Sequence, residues 1–195
     1  ILLGIMAIIV FAGCIGGAVV KTLQNSPDID PTLINSSLNQ TTTIVDQNGN
    51  LIEQVQAEEL RTFVSITEIP KQLKEAFISI EDERFYEHNG LDLKRVGGAL
   101  FHNITTRSLG QGASTITMQL SKNLYTTSEK SFKRKIQDAY YAVEIEKQLG
   151  KDDILLAYLN VADFSRNTKG IQAAAHTFFN KNVSELTLGE CAMLA

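Results

Sequence analysis

The chain has 195 residues, of which 44% are hydrophobic and 21% charged, and a formal net charge of −4 at pH 7. This length accommodates one domain with accessory segments, and the acidic balance argues against a nucleic-acid-binding protein. Two cysteines are too few for a disulfide framework, and we expect Cys191, which lies in an apolar run, to be buried. The three histidines lack the spacing of a zinc site.

Residues 1–20 carry no charged side chain, and a helix of that length spans a bilayer. The competing interpretation is a cleavable signal peptide, but no charged region precedes the run and Gly16-Gly17-Ala18 matches a cleavage site only loosely. We therefore expect a transmembrane anchor at 1–20, a linker with a short β element at 21–56 and the main domain at 57–195. Because the first residue is not Met and the last lies in an apolar run, we expect a piece of a longer protein.

Two β-prone runs, near 42–45 and 51–55, flank a turn-like sequence that contains Asn48-Gly49. Asn-Gly in this position is typical of a β-hairpin. Residues 63–66 are a candidate for a third short strand. After Pro70 the periodicity becomes helical, so the main domain is predicted to be mainly α.

Apolar residues recur with helical spacing over 73–80. If this helix continues by one more turn, Glu81 lies in one row between Phe77 and Phe85. A carboxyl group between two aromatic rings is partly desolvated, which favours its neutral form and suits a general base. The alternative is a solvated acidic helix end.

Two further segments are predicted to be helices, one amphipathic and one with a start that suits an anion. Apolar residues with helical spacing over 91–109 alternate with Lys94 and Arg95, which predicts an amphipathic helix. After Gly110 and Gly112, Ser114 is a predicted N-cap, and the open N–H groups of such a helix start suit phosphate. The alternative is a helix with a purely structural role.

The C-terminal part predicts four helices. The first is capped by Ser128 and ends at Gly150, and the others lie at 152–161, 170–179 and 188–195. Between 122 and 151 there are seven Lys or Arg and four Asp or Glu. Such a basic stripe is commonly a solvated face, but behind an anion-suited helix start it also suits a phosphate ligand.

Four segments in order, at 81–90, 110–123, 134–138 and 151–160, resemble the glycosyltransferase domain of bacterial class A penicillin-binding proteins and monofunctional peptidoglycan transglycosylases. The family's first motif, E-D-x-x-F-x-x-H-x-G, is matched by Glu81, Asp82, Phe85, His88 and Gly90. The resemblance extends from about residue 55 to 195. It implies a mainly α, lysozyme-like fold behind the short β element and the transmembrane helix.

The resemblance implies transfer of sugar, with inversion, from lipid-linked disaccharide-peptide pyrophosphate (lipid II) to build glycan strands. Glu81 would take the proton of the acceptor 4-hydroxyl. Asp138 would assist the departure of pyrophosphate or bind a divalent cation, Mg²⁺ or Mn²⁺. The positions that would contact substrate are Asp82, Phe85, His88, Gln111, Ser114, Thr115, Gln119, Lys122, Lys130, Arg134 and Lys135.

The chain departs from the family's pattern at three positions. The third motif is R-K-x-x-E, and Asp138 is shorter than Glu by one C–C bond, about 1.5 Å. Its alternative role is an i,i+4 pair with Arg134, worth about 0.3–0.5 kcal/mol. Met118 stands where Gln is frequent. Leu156 replaces a frequent Glu, and we expect it to pack in the core, with Asn160 structural.

The resemblance also implies a single-pass protein of the bacterial cell membrane with its catalytic domain outside the cytoplasm. Its partners would be lipid II, the glycan strand, the bilayer, a downstream transpeptidase domain and other cell-wall synthesis proteins. Because the lipid tail of the substrate stays in the bilayer, the segment 91–109 is a candidate for insertion into the interface; the alternative is packing against the core.

Two other functions remain open. A lysozyme-like glycan hydrolase would also use two carboxylates, but it needs neither a membrane anchor nor a stripe that suits pyrophosphate. The second is a non-catalytic cell-wall scaffold of the same fold, and the only observation that favours it is Asp138 in place of the family's Glu.

Overall fold

The computed structural model describes residues 63–106, 112–125, 131–164 and 168–195, together with residues 17, 20–22, 42–45 and 51–55. Most of the predicted anchor and linker lies outside these residues. Within the part described, no helix combines the length and apolar character needed to cross a membrane.

Strand β1 (Thr42–Val45) pairs antiparallel with β2 (Leu51–Val55), and Thr42 lies opposite Val55. The register shifts between Ile44 and Val45. The predicted turn at 46–50 is outside the described residues.

Apart from an isolated bridge between Asp163 and Lys169, the other regular secondary structure of the described residues is helical, as predicted. The helices are α1 (Lys71–Glu81), α2 (Leu93–Thr106), α3 (Ile116–Tyr125), α4 (Phe132–Gln148), α5 (Lys151–Val161), α6 (Ile171–Phe179) and α7 (Leu188–Leu194). Two 3₁₀ turns lie at Phe85–Glu87 and Val183–Glu185. The four predicted C-terminal helices are thus confirmed as α4 to α7.

The predicted start of α4 is wrong. Ser131, and not Ser128, is its N-cap, because the Ser131 hydroxyl accepts from the N–H of Arg134 at 3.1 Å. The helix ends before Leu149, and Gly150 is the N-cap of α5. A stretch with several serines offers alternative caps, and only the placement of the helix in the fold selects one.

The third strand predicted at 63–66 is also wrong, since residues 63–65 belong to no strand or helix and a turn follows. The side chain of Asn160 replaces a strand partner here. Its Oδ1 accepts from the N–H of Val64 at 3.0 Å, and its Nδ2 donates to the Val64 carbonyl at 3.1 Å. An amide can satisfy both backbone groups of one residue, and the expected structural role of Asn160 is confirmed.

Helix α3 packs against both α4 and α5, and the core lies around this contact. The fully buried side chains include Leu73, Phe85, Ile116, Leu120, Ile154, Leu155 and Leu159. Leu156 packs against this cluster, and Cys191 is buried in it, as expected for both. Burial also raises the pKa of the Cys191 thiol.

Gly90 allows the chain after the first 3₁₀ turn to touch α4. Its φ is +87°, and a Cβ at this position would lie 2.7 Å from the carbonyl oxygen of Ala142. The Thr115 hydroxyl donates to the Gly90 carbonyl at 2.6 Å. Only glycine combines this φ with so close an approach.

We expect Gly90→Ala to lower the free energy of unfolding by about 2–6 kcal/mol, because a strained φ and an overpacked Cβ each cost about 1–3 kcal/mol. Urea denaturation measures the change. The control is Gly97→Ala, within α2, where a Cβ meets nothing within 4 Å; it should be neutral or stabilising by up to about 1 kcal/mol. Equal stability of the two variants would contradict the close contact.

Candidate active site

Glu81 is the last residue of α1. The next residue, Asp82, leaves the helix with φ −157° and ψ 69°, and Arg95 donates to the Glu81 carbonyl. The predicted row is therefore wrong at its far end: Phe77 lies one turn before Glu81, but Phe85 belongs to a separate 3₁₀ turn and is fully buried. The change of direction leaves Glu81 half-buried at a helix end.

The Glu81 carboxylate is held by α3. Gln119 Nε2 donates to Glu81 Oε2 at 2.6 Å, and Gln119 Oε1 accepts from the Tyr158 hydroxyl at 3.4 Å. Burial, with the neighbouring Glu81 charge, raises the pKa of the Tyr158 phenol. This phenol therefore stays protonated at neutral pH. The two hydrogen bonds link the helices α1, α3 and α5 at the Glu81 carboxylate.

Asp82 connects the first motif to the start of α3. Its side chain is fully buried, accepts from the N–H of Ile116 at 2.9 Å, and lies 3.0 and 3.1 Å from His88 Nε2. A carboxylate accepts only, so Nε2 carries the proton. A negative charge at a helix N-terminus is stabilising; Asp82 and His88 thus anchor the turn between Glu81 and α3.

The N-cap of α3 is Thr115 and not the predicted Ser114. The Thr115 hydroxyl accepts from the N–H of Met118 at 3.1 Å, while Asp82 takes the N–H of Ile116. Residues 115–118 are all buried. The N–H groups of Ile116 and Met118 at this helix start are therefore used within the chain, and the predicted phosphate site stays a prediction.

Asp138 lies on α4, with a side chain that is only 6% exposed, and its Oδ2 is 3.4 Å from Nε of Arg134. The Ser121 hydroxyl donates to the Asp138 carbonyl at 3.0 Å, which joins α3 to α4 at this point. The i,i+4 pair proposed as the alternative is therefore present, and it contains a buried carboxylate. Such a group can serve chemistry as well as structure.

A divalent cation does not fit at Asp138. Among the described residues, no three His, Cys, Asp or Glu side chains gather as a metal-binding group. Asp138 already lies next to a guanidinium charge, whereas Mg²⁺ and Mn²⁺ require several oxygen ligands.

The other predicted substrate residues fall into two groups. Asp82, Phe85 and Thr115 are fully buried and His88 is nearly so, so these side chains are not accessible to a ligand in this structure. Accessible or partly accessible are Ser114, Gln119, Lys122, Arg134 and Lys135, while Gln111 and Lys130 lie outside the described residues.

One residue of the basic stripe is used internally. Lys151 Nζ binds Glu146 Oε1 at 2.7 Å and lies 4.4 Å from the centre of the Phe85 ring. The Thr117 hydroxyl donates to the same Glu146 oxygen at 2.6 Å. This ion pair therefore joins three helices and the first motif, and it is not part of a phosphate surface.

Two residues at the site, Tyr158 and Arg95, are not among the predicted site residues. Tyr158 is the only hydroxyl in an otherwise apolar turn of the fourth motif, and a buried tyrosine hydroxyl ordinarily has a partner. That signal was available. The contact of Arg95 with the end of α1 had no sequence signal.

A sequence model of the family described as transglycosylase matches residues 48–195. The chain belongs to the transglycosylase family. It is 47% identical over 198 residues to penicillin-binding protein 1A of Clostridium perfringens strain 13, covering 100% of this chain and 28% of that protein.

Two relatives come from Bacillus subtilis strain 168. Penicillin-binding protein 1F is 47% identical over 158 residues, which are 81% of this chain and 22% of the relative. Penicillin-binding protein 1A/1B is 42% identical over 193 residues, 97% of this chain and 21% of the relative. The predicted family is thus confirmed, and the chain spans about a quarter of the length of these relatives.

Proposed function

We propose that this chain is a peptidoglycan glycosyltransferase that polymerises lipid II into glycan strands, with inversion at the anomeric carbon. The observation that carries the proposal is the Glu81 carboxylate. It ends a helix in the matched first motif and is held at 2.6 Å by Gln119 of the second. A fixed, half-exposed carboxylate is what a general base for a sugar hydroxyl requires.

In the proposed reaction, Glu81 takes the proton of the acceptor 4-hydroxyl. That oxygen forms a bond to the anomeric carbon of the growing chain, and the bond from this carbon to the lipid pyrophosphate breaks. Lys122 on α3 and Lys135 on α4 are exposed and offer cations for the departing phosphates. Asp138 and Arg134 lie on α4, where the Asp138 carbonyl accepts from Ser121 of α3, and in this proposal they assist the departure.

Purified lipid II, incubated with the chain, distinguishes the candidate functions. The proposal expects long glycan strands that a muramidase cleaves. A hydrolase would instead release reducing ends from finished glycan and leave lipid II unchanged. A scaffold would do neither.

The proposed context is a single-pass protein with a membrane anchor at 1–20, a linker with the β element at 21–56 and the catalytic domain at 57–195 outside the cytoplasm. The charge-free first 20 residues support the anchor. The relatives are about four times as long and are named penicillin-binding proteins, which supports a downstream transpeptidase domain and cell-wall synthesis partners.

Helix α2 is the proposed contact with the bilayer surface. Its apolar side chains Leu93, Val96 and Phe101 are 75%, 42% and 71% exposed, so these three are not part of the core. Exposed large apolar groups next to a lysine, Lys94, are typical of an interfacial helix.

The start of α2 is fixed by Asp92, whose Oδ1 accepts from the N–H of Arg95 at 2.9 Å and which pairs with Arg84. Burial would raise the pKa of Asp92, but the Arg95 N–H and the Arg84 guanidinium outweigh burial and lower this pKa. The cap therefore stabilises α2 at neutral pH and is lost only when acid protonates Asp92 below its ordinary pKa.

We expect the chain without residues 1–20 to bind vesicles that contain phosphatidylglycerol, and to bind them more weakly at high salt because screening weakens the attraction. Replacing Leu93 and Phe101 with Ser should reduce binding by about 100-fold or more, since each lost insertion costs about 1.5–3 kcal/mol and about 1.4 kcal/mol is a factor of ten. Sedimentation with vesicles measures the binding.

The matched control replaces two other exposed apolar residues, Leu188 and Met193 of α7, which are 69% and 77% exposed, with Ser. This variant should bind vesicles as the parent does. If both variants lose vesicle binding equally, or if the parent does not bind vesicles, the membrane contact lies elsewhere. A thermal melt of each variant excludes unfolding.

A further inference from the structure

Tyr158 is a buried residue beside the proposed base, and the proposed reaction does not use it. It is 5% exposed, and its hydroxyl donates to Gln119 Oε1 at 3.4 Å. Gln119 in turn donates to Glu81 at 2.6 Å. The hydrogen bonds thus form one chain that begins on α5, passes through α3 and ends on the carboxylate of α1.

The ring of Tyr158 is oriented by the helix that carries Glu81. Phe77, one turn before Glu81, meets this ring edge to face, with centroids 6.1 Å apart and an interplanar angle of 77°. Phe164 packs on Phe77 in the same manner at 5.9 Å. Such contacts restrict a ring, so the hydroxyl is aimed at Gln119 and does not move freely.

The amide of Gln119 has two different ends, of which Oε1 only accepts and Nε2 only donates. A carboxylate only accepts, so Glu81 can bind Nε2 but not Oε1. Burial raises the pKa of the Tyr158 phenol, which keeps it protonated and able to donate to Oε1. Each partner therefore favours the same orientation of the amide, and a half-turn of the amide would set Oε1 against the carboxylate.

We propose that Tyr158 is a positioning residue that holds the Gln119 amide in this orientation. One carboxylate oxygen of Glu81 then stays bound to Nε2, while the other is directed to the acceptor hydroxyl. The inference rests on the proposed glycosyl transfer, and it assigns to the fourth motif a role in the proton transfer besides packing.

A double-mutant cycle with the full chain and lipid II tests the role. Tyr158→Phe keeps the ring and removes the hydroxyl, and we expect kcat to fall by about 3–10-fold with KM changed by less than about twofold, as for one hydrogen bond. In a Gln119→Ala background the same substitution should change kcat by less than about 1.5-fold, because the two residues act as a unit. A variant with Tyr86→Phe, whose exposed hydroxyl binds Asp152 at 3.0 Å, should match the parent.

A second measurement does not depend on activity. The side-chain amide resonance of Gln119, identified by its loss in Gln119→Ala, should shift and exchange faster with water in Tyr158→Phe but not in Tyr86→Phe. Equal rate losses in both backgrounds, no loss in either, or an unchanged amide resonance would each overturn the inference. If the parent chain fails to polymerise lipid II, the proposed function fails, and the amide resonance alone decides whether Tyr158 orients Gln119.

Discussion

Glu81→Gln should abolish glycan polymerisation while leaving the fold intact. Gln has the shape of Glu, and its carbonyl oxygen can still accept from Gln119 Nε2, which holds Glu81 at 2.6 Å. It cannot take a proton from the acceptor hydroxyl. The rate should therefore fall by at least the roughly 10²–10⁴-fold that general-base catalysis supplies. Polymerisation of purified lipid II measures the rate, and a circular-dichroism melt reports the fold.

The matched control for this variant is Glu83→Gln. Glu83 belongs to the same acidic segment but is exposed, so its loss should leave both rate and melt unchanged. A Glu81→Gln variant with a near-parental rate would show that Glu81 is not the base. Loss of activity only after Glu81→Gln would also exclude the non-catalytic scaffold.

Asp138→Asn should strongly reduce the rate of lipid II polymerisation, whereas Asp138→Glu should leave this rate unchanged or raise it. The family's third motif ends in Glu, and the added methylene restores about 1.5 Å of reach toward the departing pyrophosphate. Asn removes the charge from a side chain that is 6% exposed beside Arg134. If Asp138 only stabilised its helix, the loss would be about 0.3–0.5 kcal/mol of stability and little rate.

Rate and stability have to be measured together for Asp138. Removing one partner of a mostly buried pair leaves Arg134 without its counter-charge, which lowers stability by itself. Glu144→Gln is the control, because Glu144 pairs with Lys147 on the same helix but is partly exposed. A folded Asp138→Asn variant with the parental rate would remove the catalytic role and favour the structural alternative.

The elements of this domain follow from local patterns in the sequence. Helices α1, α4 and α6 repeat their apolar residues every three or four positions, whereas α5 is a nearly continuous apolar run. Both patterns exist before any tertiary contact. Burial can also be predicted for apolar side chains in apolar runs: Cys191 and Leu156 lie in such runs, and both pack in the core. Glu81, too, can be selected from the sequence as the candidate general base, because it is the first residue of the motif.

The tertiary structure decided between residues of similar chemistry that lie close together in the sequence. Ser114 and Thr115 are both good N-caps, and Thr115 caps α3 because its hydroxyl also reaches the Gly90 carbonyl. Asp82 is a carboxylate beside Glu81, but its contacts with Ile116 and His88 bury it and end α1.

The same holds for the residues that support the site. Gln119 and Tyr158 are 38 and 77 positions from Glu81 in the sequence, and their hydrogen bonds to its carboxylate and to each other exist only after α1, α3 and α5 pack. The sequence alone therefore determined which segments are helical and which carboxylate stands first in the motif. The fold determined which groups are buried, capped and oriented, because burial and hydrogen-bond partners are set by packing between distant segments and not by local period.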